Sequence, residues 1–377
     1  MNDSKITSRQ FFVLVFLFTV GSSILFVPSQ VADAAKHDTW LAILIGFVIN
    51  LLVVGLYLLL SRCYPDTTLY ELMEKLLGKW IGYLATALTF LFAFIVCLSS
   101  LFYYVGYFLN TQIFPDTPVV VLNGLFAIIA ILGVRLGRAT FSRASEVLVG
   151  LFLFLYVFLI FTVAPEIEME NLKPALTTPV TSLLDGALGY VSFSTFPLIF
   201  FLTLYPAHVL NPRQAAKNFM WGTLTGGAVL WIISVVSIAV FGPEVTKAYT
   251  FPSYVLAQRI NIGTFLTRVE VIMPTIWLIS LFFKCLIYFY ASVEGLARLT
   301  RVRSSQLYTI PIGLAAWALS VDLYTDSAHL YVWSKKTLPV ITFIFGVLLP
   351  LILLGLALLK RGRESSRGRT AAPMEEK

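Results

Sequence analysis

Charged residues are scarce in this chain. Only 12% of its 377 residues are Asp, Glu, Lys or Arg, whereas about 25% is usual in a soluble domain. Hydrophobic residues make up 58% of the chain, against a usual share of roughly 45–50%. An ordinary soluble domain is therefore excluded, and the composition predicts an all-α protein that crosses a membrane several times.

Cysteine and histidine are also rare, with three residues of each. The cysteines are odd in number and widely separated, which argues against a disulfide framework or a metal cluster. The histidines fall in three different predicted loops, so they cannot converge on one metal ion or form a catalytic triad. We therefore expect no metal site, no cofactor and no enzymatic activity.

Long apolar runs fill most of the sequence. A helix that crosses a hydrocarbon core about 30 Å thick needs about 20 mainly apolar residues. Segments of about that length predict ten spans, at 10–33, 40–61, 81–110, 118–134, 144–164, 185–205, 218–242, 269–293, 307–321 and 338–359. Residues 1–360 are thus predicted to form one transmembrane domain. The polar stretch 361–377 is predicted to be a disordered cytoplasmic tail.

Basic residues are unevenly distributed between the predicted loops. With a cytoplasmic N-terminus, that side receives roughly nineteen Lys and Arg residues and the opposite side roughly seven. The asymmetry predicts that both termini are cytoplasmic. The net charge of +7 then reflects membrane topology, and no nucleic-acid partner is implied.

The first apolar segment also imitates a secretory signal peptide. Lys5 and Arg9 precede the apolar run, and Ala32-Asp33-Ala34 resembles a small-residue cleavage site. The run is longer than the 7–15 residues usual for a signal core, so a membrane helix is the favoured interpretation.

Two apolar segments are interrupted in their own middle. The first break is Gly21-Ser22-Ser23-Ile24, and the second contains Phe193-Ser194-Thr195-Phe196. Interrupted segments at corresponding positions of two halves are typical of transporter-type sites built from discontinuous helices. Unwound backbone is tolerated inside a membrane only where it is buried in protein or lines a polar cavity. The breaks therefore predict a ligand site, with a packing notch of small residues as the alternative.

The ten spans divide into two sets of five, at about 10–164 and 185–359. An odd number of spans per half predicts an inverted repeat, in which helices 1 and 6 are the discontinuous ones. The linker after the second span carries the capping box Thr68-Leu69-Tyr70-Glu71 and ends at Gly78, which predicts a short amphipathic helix. Its predicted counterpart runs from Phe251 to a stop signal at Asn261-Ile262-Gly263.

Lys284 is the one basic residue well inside a predicted span. A charge at the centre of a membrane helix costs about 2.5–3.5 kcal/mol on insertion scales, so we expect it to face a polar interior. We predict that its ammonium takes the place of a coupling cation and holds the broken first span. Snorkelling towards the interface is the alternative. Tyr103 and Tyr104 in the third span are further candidates for the site, although packing is the commoner role of aromatic residues.

On these residues the chain resembles the amino-acid-permease-like B subunits of bacterial spore germinant receptors, in the amino acid–polyamine–organocation (APC) superfamily. The resemblance covers nearly the whole chain. It rests on Ile6–Gln10, on Gly21–Pro28, on Phe283-Lys284 and on the loop 207–218. The first break departs from the commoner Gly-Thr-Gly pattern by having Ser22 and Ser23.

The resemblance implies a ten-span, LeuT-like fold that holds a nutrient such as an amino acid among the first, third, sixth and eighth spans. The site carried over by position comprises the two breaks together with Ser280 and Lys284. It also implies receptor A and C subunits as partners and a location in the inner spore membrane. The sequence thus predicts a nutrient-sensing subunit that starts germination, and a secondary amino acid transporter is the alternative.

Overall fold

The computed structural model describes residues 5–259, 269–302 and 304–370. The regular elements of this part are helices, and its one backbone bridge outside them joins Ile6 to Val209. The first eight α-helices are α1 Ser8–Val20, α2 Ser23–Ala35, α3 Thr39–Cys63, α4 Leu69–Leu77, α5 Lys79–Leu91, α6 Ser100–Gln112, α7 Val119–Arg135 and α8 Arg138–Val163. They are followed by α9 Val180–Ser194, α10 Pro212–Ala248, α11 Pro252–Gln258, α12 Ile272–Thr300, α13 Thr309–Val321, α14 Ser327–Val332, α15 Leu338–Phe343 and α16 Leu349–Thr370.

Some of these helices continue through segments with a different hydrogen-bond pattern. Phe92–Ser99 joins α5 to α6 as a π-helical segment, and Phe196–Thr203 follows α9 as a 3-10 helix. Seven helical stretches of the described residues are long and apolar enough to cross a membrane. Each of the ten predicted apolar segments overlaps a helix or a helix broken in its middle. The predicted all-helical, multi-span architecture is therefore confirmed at this level.

The predicted tail and the last helix overlap in sequence. The sequence predicted disorder from residue 361, but α16 runs to Thr370. Once an apolar helix exists, each further residue adds a hydrogen bond without a new nucleation cost, so a polar extension can continue it. Residues 371–377 lie outside the described part of the chain.

The linker helices follow the predicted signals. Thr68 caps α4 with a complete capping box, and Gly78 ends the helix. The second linker helix, α11, starts at Pro252 as predicted. Its predicted stop signal at 261–263 lies outside the described residues.

Helix α1 packs closely against α10 through two glycines spaced four residues apart. A methyl group on Gly222 would lie 2.8 Å from Cγ1 of Val15, and one on Gly226 would lie 2.8 Å from Cβ of Thr19. Small residues at this spacing let membrane helices approach closely. Helix α12 packs on another side of α1, so the first broken helix is enclosed by neighbours.

Candidate functional site

The first break lies between α1 and α2 and is short. α1 ends at Val20, and α2 begins at Ser23 after Gly21 and Ser22. Pro28 inside α2 has no N–H group, so it cannot donate to the carbonyl of Ile24 four residues earlier. The hydroxyl of Ser253 in α11 donates to that carbonyl instead. A side chain from the linker helix therefore satisfies the backbone next to the break.

The second break has the same chemistry. α9 ends at Ser194, and the 3-10 helix begins at Phe196. Pro197 cannot donate to the carbonyl of Phe193, again four residues earlier. The amino group of Lys284 in α12 donates to this carbonyl at 2.7 Å. Each break thus contains one backbone carbonyl that a proline has left without its helical donor. A side chain from a distant helix donates a hydrogen bond to this carbonyl instead.

Lys284 brings the two breaks together. Its side chain is 1% exposed, and its Nζ lies 5.2 Å from the centre of the Phe18 ring. A methyl group on Gly21 would lie 2.4 Å from Cδ of Lys284. The lysine stem therefore passes directly over the first break while its amino group binds the second. This burial excludes the snorkelling alternative in this structure.

The residues of both breaks are closed off from solvent. Ser23, Ile24, Ser194 and Thr195 are fully buried, and the neighbouring positions of each break are nearly so. Within the described part of the chain, the hydroxyl of Ser23 has no hydrogen-bond partner. A buried hydroxyl without a partner is costly, and a bound ligand would supply one.

Aromatic rings connect the third span to the breaks. The Phe26 ring lies 4.8 Å from the Tyr104 ring and 6.0 Å from the Phe193 ring. Tyr104 is thus part of this assembly, whereas Tyr103 stacks on Tyr107 at 5.7 Å and meets Tyr324 at 4.8 Å. In the described contacts, Tyr103 does not touch either break directly. It is connected to the breaks only through neighbouring residues.

Two hydroxyl groups of the predicted site bind within their own helices. Ser280 lies one turn before Lys284, and its hydroxyl is 3.0 Å from the carbonyl oxygen of Trp277. Ser194 donates to the carbonyl of Tyr190 at 2.8 Å, and its oxygen lies 3.2 Å from that of Thr195. These groups are buried near the site, but the described hydrogen bonds do not link Ser280 to either break.

The two broken helices are also tied together at both ends. At one end, the N–H of Ile6 donates to the carbonyl of His208 at 3.0 Å, and the N–H of Leu210 donates to the carbonyl of Ile6 at 2.9 Å. At the other end, the carboxylate of Asp38 accepts hydrogen bonds from the backbone amides of residues 176, 177 and 178. Burial raises the pKa of Asp38, but the three amides outweigh it and hold the pKa below its ordinary value.

A polar cavity of about 780 Å³ lies next to the end of the second broken helix. Thr203, the last residue of the 3-10 helix, contributes to its wall. Arg298 and Glu74, which also line the cavity, form an ion pair at 2.6 Å. Within the described residues, no group of three or more His, Cys, Asp or Glu side chains is arranged to hold a metal ion.

Several site features were missed from the sequence. Ser253 and Phe26 contact the first break or the rings around it, and the π-helical segment Phe92–Ser99 lies in the middle of the third span. Each proline was a usable signal, because a proline frees the carbonyl of the residue four positions before it. The sequence contains no comparable signal for the side chain that binds it.

A multi-span helical protein with two broken helices that meet at a buried lysine has the architecture of a membrane transporter, and known structures bear this out. The chain shares its fold with Mhp1, a nucleobase-cation-symport-1 family transporter, at a TM-score of 0.67 and 11% identity over 89% of this chain and 76% of that one. It also matches a manganese transporter from Eremococcus coleocola at a TM-score of 0.54 and 14% identity, over 92% and 76% of the two chains. At these identities the likeness concerns the fold alone.

Residues 5–327 match the family of spore germination proteins known as spore permeases, and the chain belongs to that family. It is 29% identical to spore germination protein KB of Bacillus subtilis, over 98% of this chain and 100% of that protein. It is 26% identical to the putative spore germination protein YfkT of the same organism, over 89% and 92% of the two chains. The predicted resemblance to B subunits is therefore confirmed. The family is one of spore germination proteins, and the likeness of this chain to transporters concerns its fold.

Proposed function

We propose that this protein is the nutrient-sensing B subunit of a spore germinant receptor. A small germinant, with an amino acid as the favoured class, binds between the two broken helices, and the resulting change of packing starts germination through receptor A and C subunits. Membership of the spore germination family supports the biological role. The ligand and the partners are proposals that rest on the resemblance and on the chemistry of the breaks.

The contact that carries this proposal is the hydrogen bond from Lys284 to the carbonyl of Phe193. The same side chain lies over Gly21, so a ligand that moves either break must rearrange one shared group. Near the first break, the N-terminus of α2 favours a negative group such as a carboxylate, and the unpartnered hydroxyl of Ser23 lies in its first turn. A free amino acid has both the carboxylate and a polar amine to match these groups.

A tethered amino group favours sensing over transport that is coupled to a metal cation. In a cation-coupled transporter the ion must bind and leave together with the substrate. The amino group of Lys284 is attached to α12 and cannot leave the site. It can hold the breaks in one arrangement and release them when ligand binds, which is a shift between two populations.

The membrane arrangement is part of the proposal. We place both termini in the cytoplasm because Lys and Arg are concentrated on that side, and we place the protein in the inner spore membrane or cell membrane. The two halves are proposed to form an inverted repeat of five spans each within one transmembrane domain. The position of one broken helix at the start of each half supports this arrangement.

The alternative function is a secondary amino acid transporter of the APC superfamily. The observation that favours it is the shared fold with Mhp1, whose broad match covers 89% of this chain. A transporter would take up an amino acid in liposomes that contain this chain alone. A receptor subunit would respond to the germinant only together with its partners.

The experiment starts from a spore-former in which the gene for this protein is deleted. Spores are tested against a panel of amino acids, sugars and nucleosides, and then with the gene restored as wild type, Lys284→Met or Lys336→Met. Lys284→Met keeps the length of the side chain and removes the donor to Phe193. Lys336 is an exposed lysine and serves as the matched control.

We expect deletion to abolish the response to one nutrient class, and the wild type and Lys336→Met to restore it. Lys284→Met should reduce the response at least tenfold at an unchanged protein level. A normal response in the deletion strain, with slower amino acid uptake in growing cells, would contradict sensing and favour the transporter. An unaltered response with Lys284→Met would show that Lys284 takes no part in the mechanism. The proposed role in germination would still stand.

A further inference from the structure

A second cavity, of about 730 Å³, has no residue of either break in its walls. Its walls are the end of α3, the start of α10 and the connection that precedes α10. We call it the α3–α10 cavity. The residues that line it are Leu58, Ser61, Arg62, Pro65, Tyr205, Pro206, Pro212, Arg213, Ala216, Lys217 and Met220.

Three of these lining residues are basic, and none is acidic. Arg62, Arg213 and Lys217 are exposed, and none of them forms a salt bridge with another described residue. The rule that places basic residues on the cytoplasmic side accounts for their side of the membrane. This rule does not explain why all three basic residues line one cavity that has no acidic residue in its wall.

Two of the cations are placed unfavourably for the helix that carries them. Arg213 and Lys217 are four residues apart in α10, and like charges at that spacing repel each other on one helix face. Arg213 also lies in the first turn, where the helix dipole favours negative charge. An anion held between them would relieve both penalties.

Most of the remaining lining residues are apolar and carry aliphatic or ring surface. Leu58, Pro65, Ala216 and Met220 face the same space as the three cations. A small inorganic anion would bind the three basic residues but would make no contact with the apolar wall. The volume equals that of about two dozen water molecules at roughly 30 Å³ each, which is far more than inorganic phosphate fills.

From this combination we infer that the α3–α10 cavity is a binding site for an anionic phospholipid. The phosphate of the head group binds Arg62, Arg213 and Lys217, and the upper parts of the acyl chains lie on the apolar wall. Basic pockets between membrane helices on the cytoplasmic side bind lipid head groups of this kind. The site is distinct from the germinant site, and its test does not depend on the proposed function.

Occupation of this site would act close to the second broken helix. Tyr205 lines the cavity and lies two residues after the 3-10 helix, with its ring 5.5 Å from that of Phe11 in α1. A lipid that joins α3 to α10 would thus stabilise the connection that ties the broken helices together at this end. We expect the full-length protein to unfold at a higher temperature when such a lipid is bound.

The test uses the purified, delipidated full-length chain in a neutral detergent. Phosphatidylglycerol and phosphatidylcholine with identical acyl chains are added separately, and bound lipid is counted by native mass spectrometry while thermal unfolding is followed. Soluble glycerol phosphate is the third ligand. The triple variant Arg62→Gln/Arg213→Gln/Lys217→Gln is compared with Lys75→Gln/Arg135→Gln/Arg143→Gln, whose exposed basic residues lie outside both described cavities.

We expect phosphatidylglycerol to bind the wild type and the control variant and to raise their unfolding temperature. The cavity variant should bind it at least tenfold more weakly, since each basic residue near a lipid head group contributes roughly fivefold. Equal binding of both lipids, or equal losses in the two variants, would overturn the proposal. Stabilisation by glycerol phosphate equal to that by phosphatidylglycerol would also overturn the proposal. A dimer that forms without lipid and is lost in the cavity variant would overturn it as well.

Discussion

Pro28 and Pro197 act on the backbone in the same way, although they lie in different halves of the chain. Each removes the donor that would have bound a carbonyl four residues earlier, and each freed carbonyl lies at a break. In a membrane interior such a group must be satisfied by protein. Ser253 and Lys284 provide the two donors, so the two breaks depend on side chains far away in sequence.

Gly21 is the residue at which we expect the site to be least tolerant. With alanine at position 21, the new methyl group would meet Cδ of Lys284 at 2.4 Å and the carbonyl oxygen of Phe18 at 2.9 Å. Overpacking of this kind typically costs about 1–3 kcal/mol. Gly21→Ala should therefore lower the unfolding temperature and weaken the germination response, as measured on purified protein and on spores.

Gly55→Ala is the matched control, because a methyl group there meets no atom within 4 Å. Gly55 lies inside α3, where alanine is the better helix former. We expect this variant to keep full response and stability. Equal effects of the two substitutions would show that contact with Lys284 is not what restricts position 21.

At this scale the sequence predicted the residues of the candidate site, but it did not predict which side chains bind the two freed carbonyls. The breaks and Lys284 were predicted because small residues, prolines and a lone charge stand out in an apolar chain, and Tyr104 was predicted because its hydroxyl could face the cavity. Ser253 was missed because a single serine in a linker helix has no distinguishing pattern. Ser280 was predicted from its position in the resemblance, and its role stays a prediction.

Among the elements, α1 and α10 pack closely beside the first break. A valine at position 226 of α10 would bring its Cβ to 2.8 Å from Cβ of Thr19 and 3.0 Å from the carbonyl oxygen of Phe16. Gly226→Val should push α1 away and lower stability by about 1–3 kcal/mol. The change can be measured as a lower midpoint of thermal unfolding in detergent.

Gly150→Val in α8 controls for the valine itself, since a Cβ at that exposed glycine meets nothing within 4 Å. Both variants carry the same β-branched residue inside a helix. If Gly150→Val were as damaging as Gly226→Val, helix propensity and not the contact with α1 would explain the loss.

The elements themselves were largely predictable because each long apolar run must become a helix in a membrane. The capping box at Thr68 even fixed the first residue of α4. The polar extension of the last helix was not predictable, since α16 continues to Thr370 through residues that resemble a disordered tail by composition. Hydropathy detects where a helix can cross a bilayer and does not detect where the helix stops.

For the whole molecule, the distribution of Lys and Arg predicts its orientation. Alkaline phosphatase inserted in the loop between α8 and α9 should be active, whereas the same enzyme fused after Thr370 should be inactive. Green fluorescent protein at the two sites should give the reverse result. Active phosphatase after Thr370 would invert the proposed orientation and would place the α3–α10 cavity on the outer face.

The inverted repeat stays a prediction at this scale. The order of helices, the position of the two breaks and the transporter-type fold agree with it. The pairing of Lys284 with Phe193 joins residues 91 positions apart, and no pattern in an apolar sequence specifies such a contact.

The attachment of the lysine amino group to α12 has an energetic consequence. A carrier that binds a free metal cation can draw on the gradient of that cation to drive its conformational cycle, but an amino group that keeps its proton and is fixed to the chain draws on no gradient. The free energy for any rearrangement of the two breaks must then come from the ligand alone. To move a two-state equilibrium from 1:99 to 99:1, the ligand must prefer one state by about 10⁴-fold, or roughly 5.5 kcal/mol. A molecule as small as an amino acid can supply this much only if nearly all its polar groups are bound in one state and unbound in the other, which makes the response selective for that molecule.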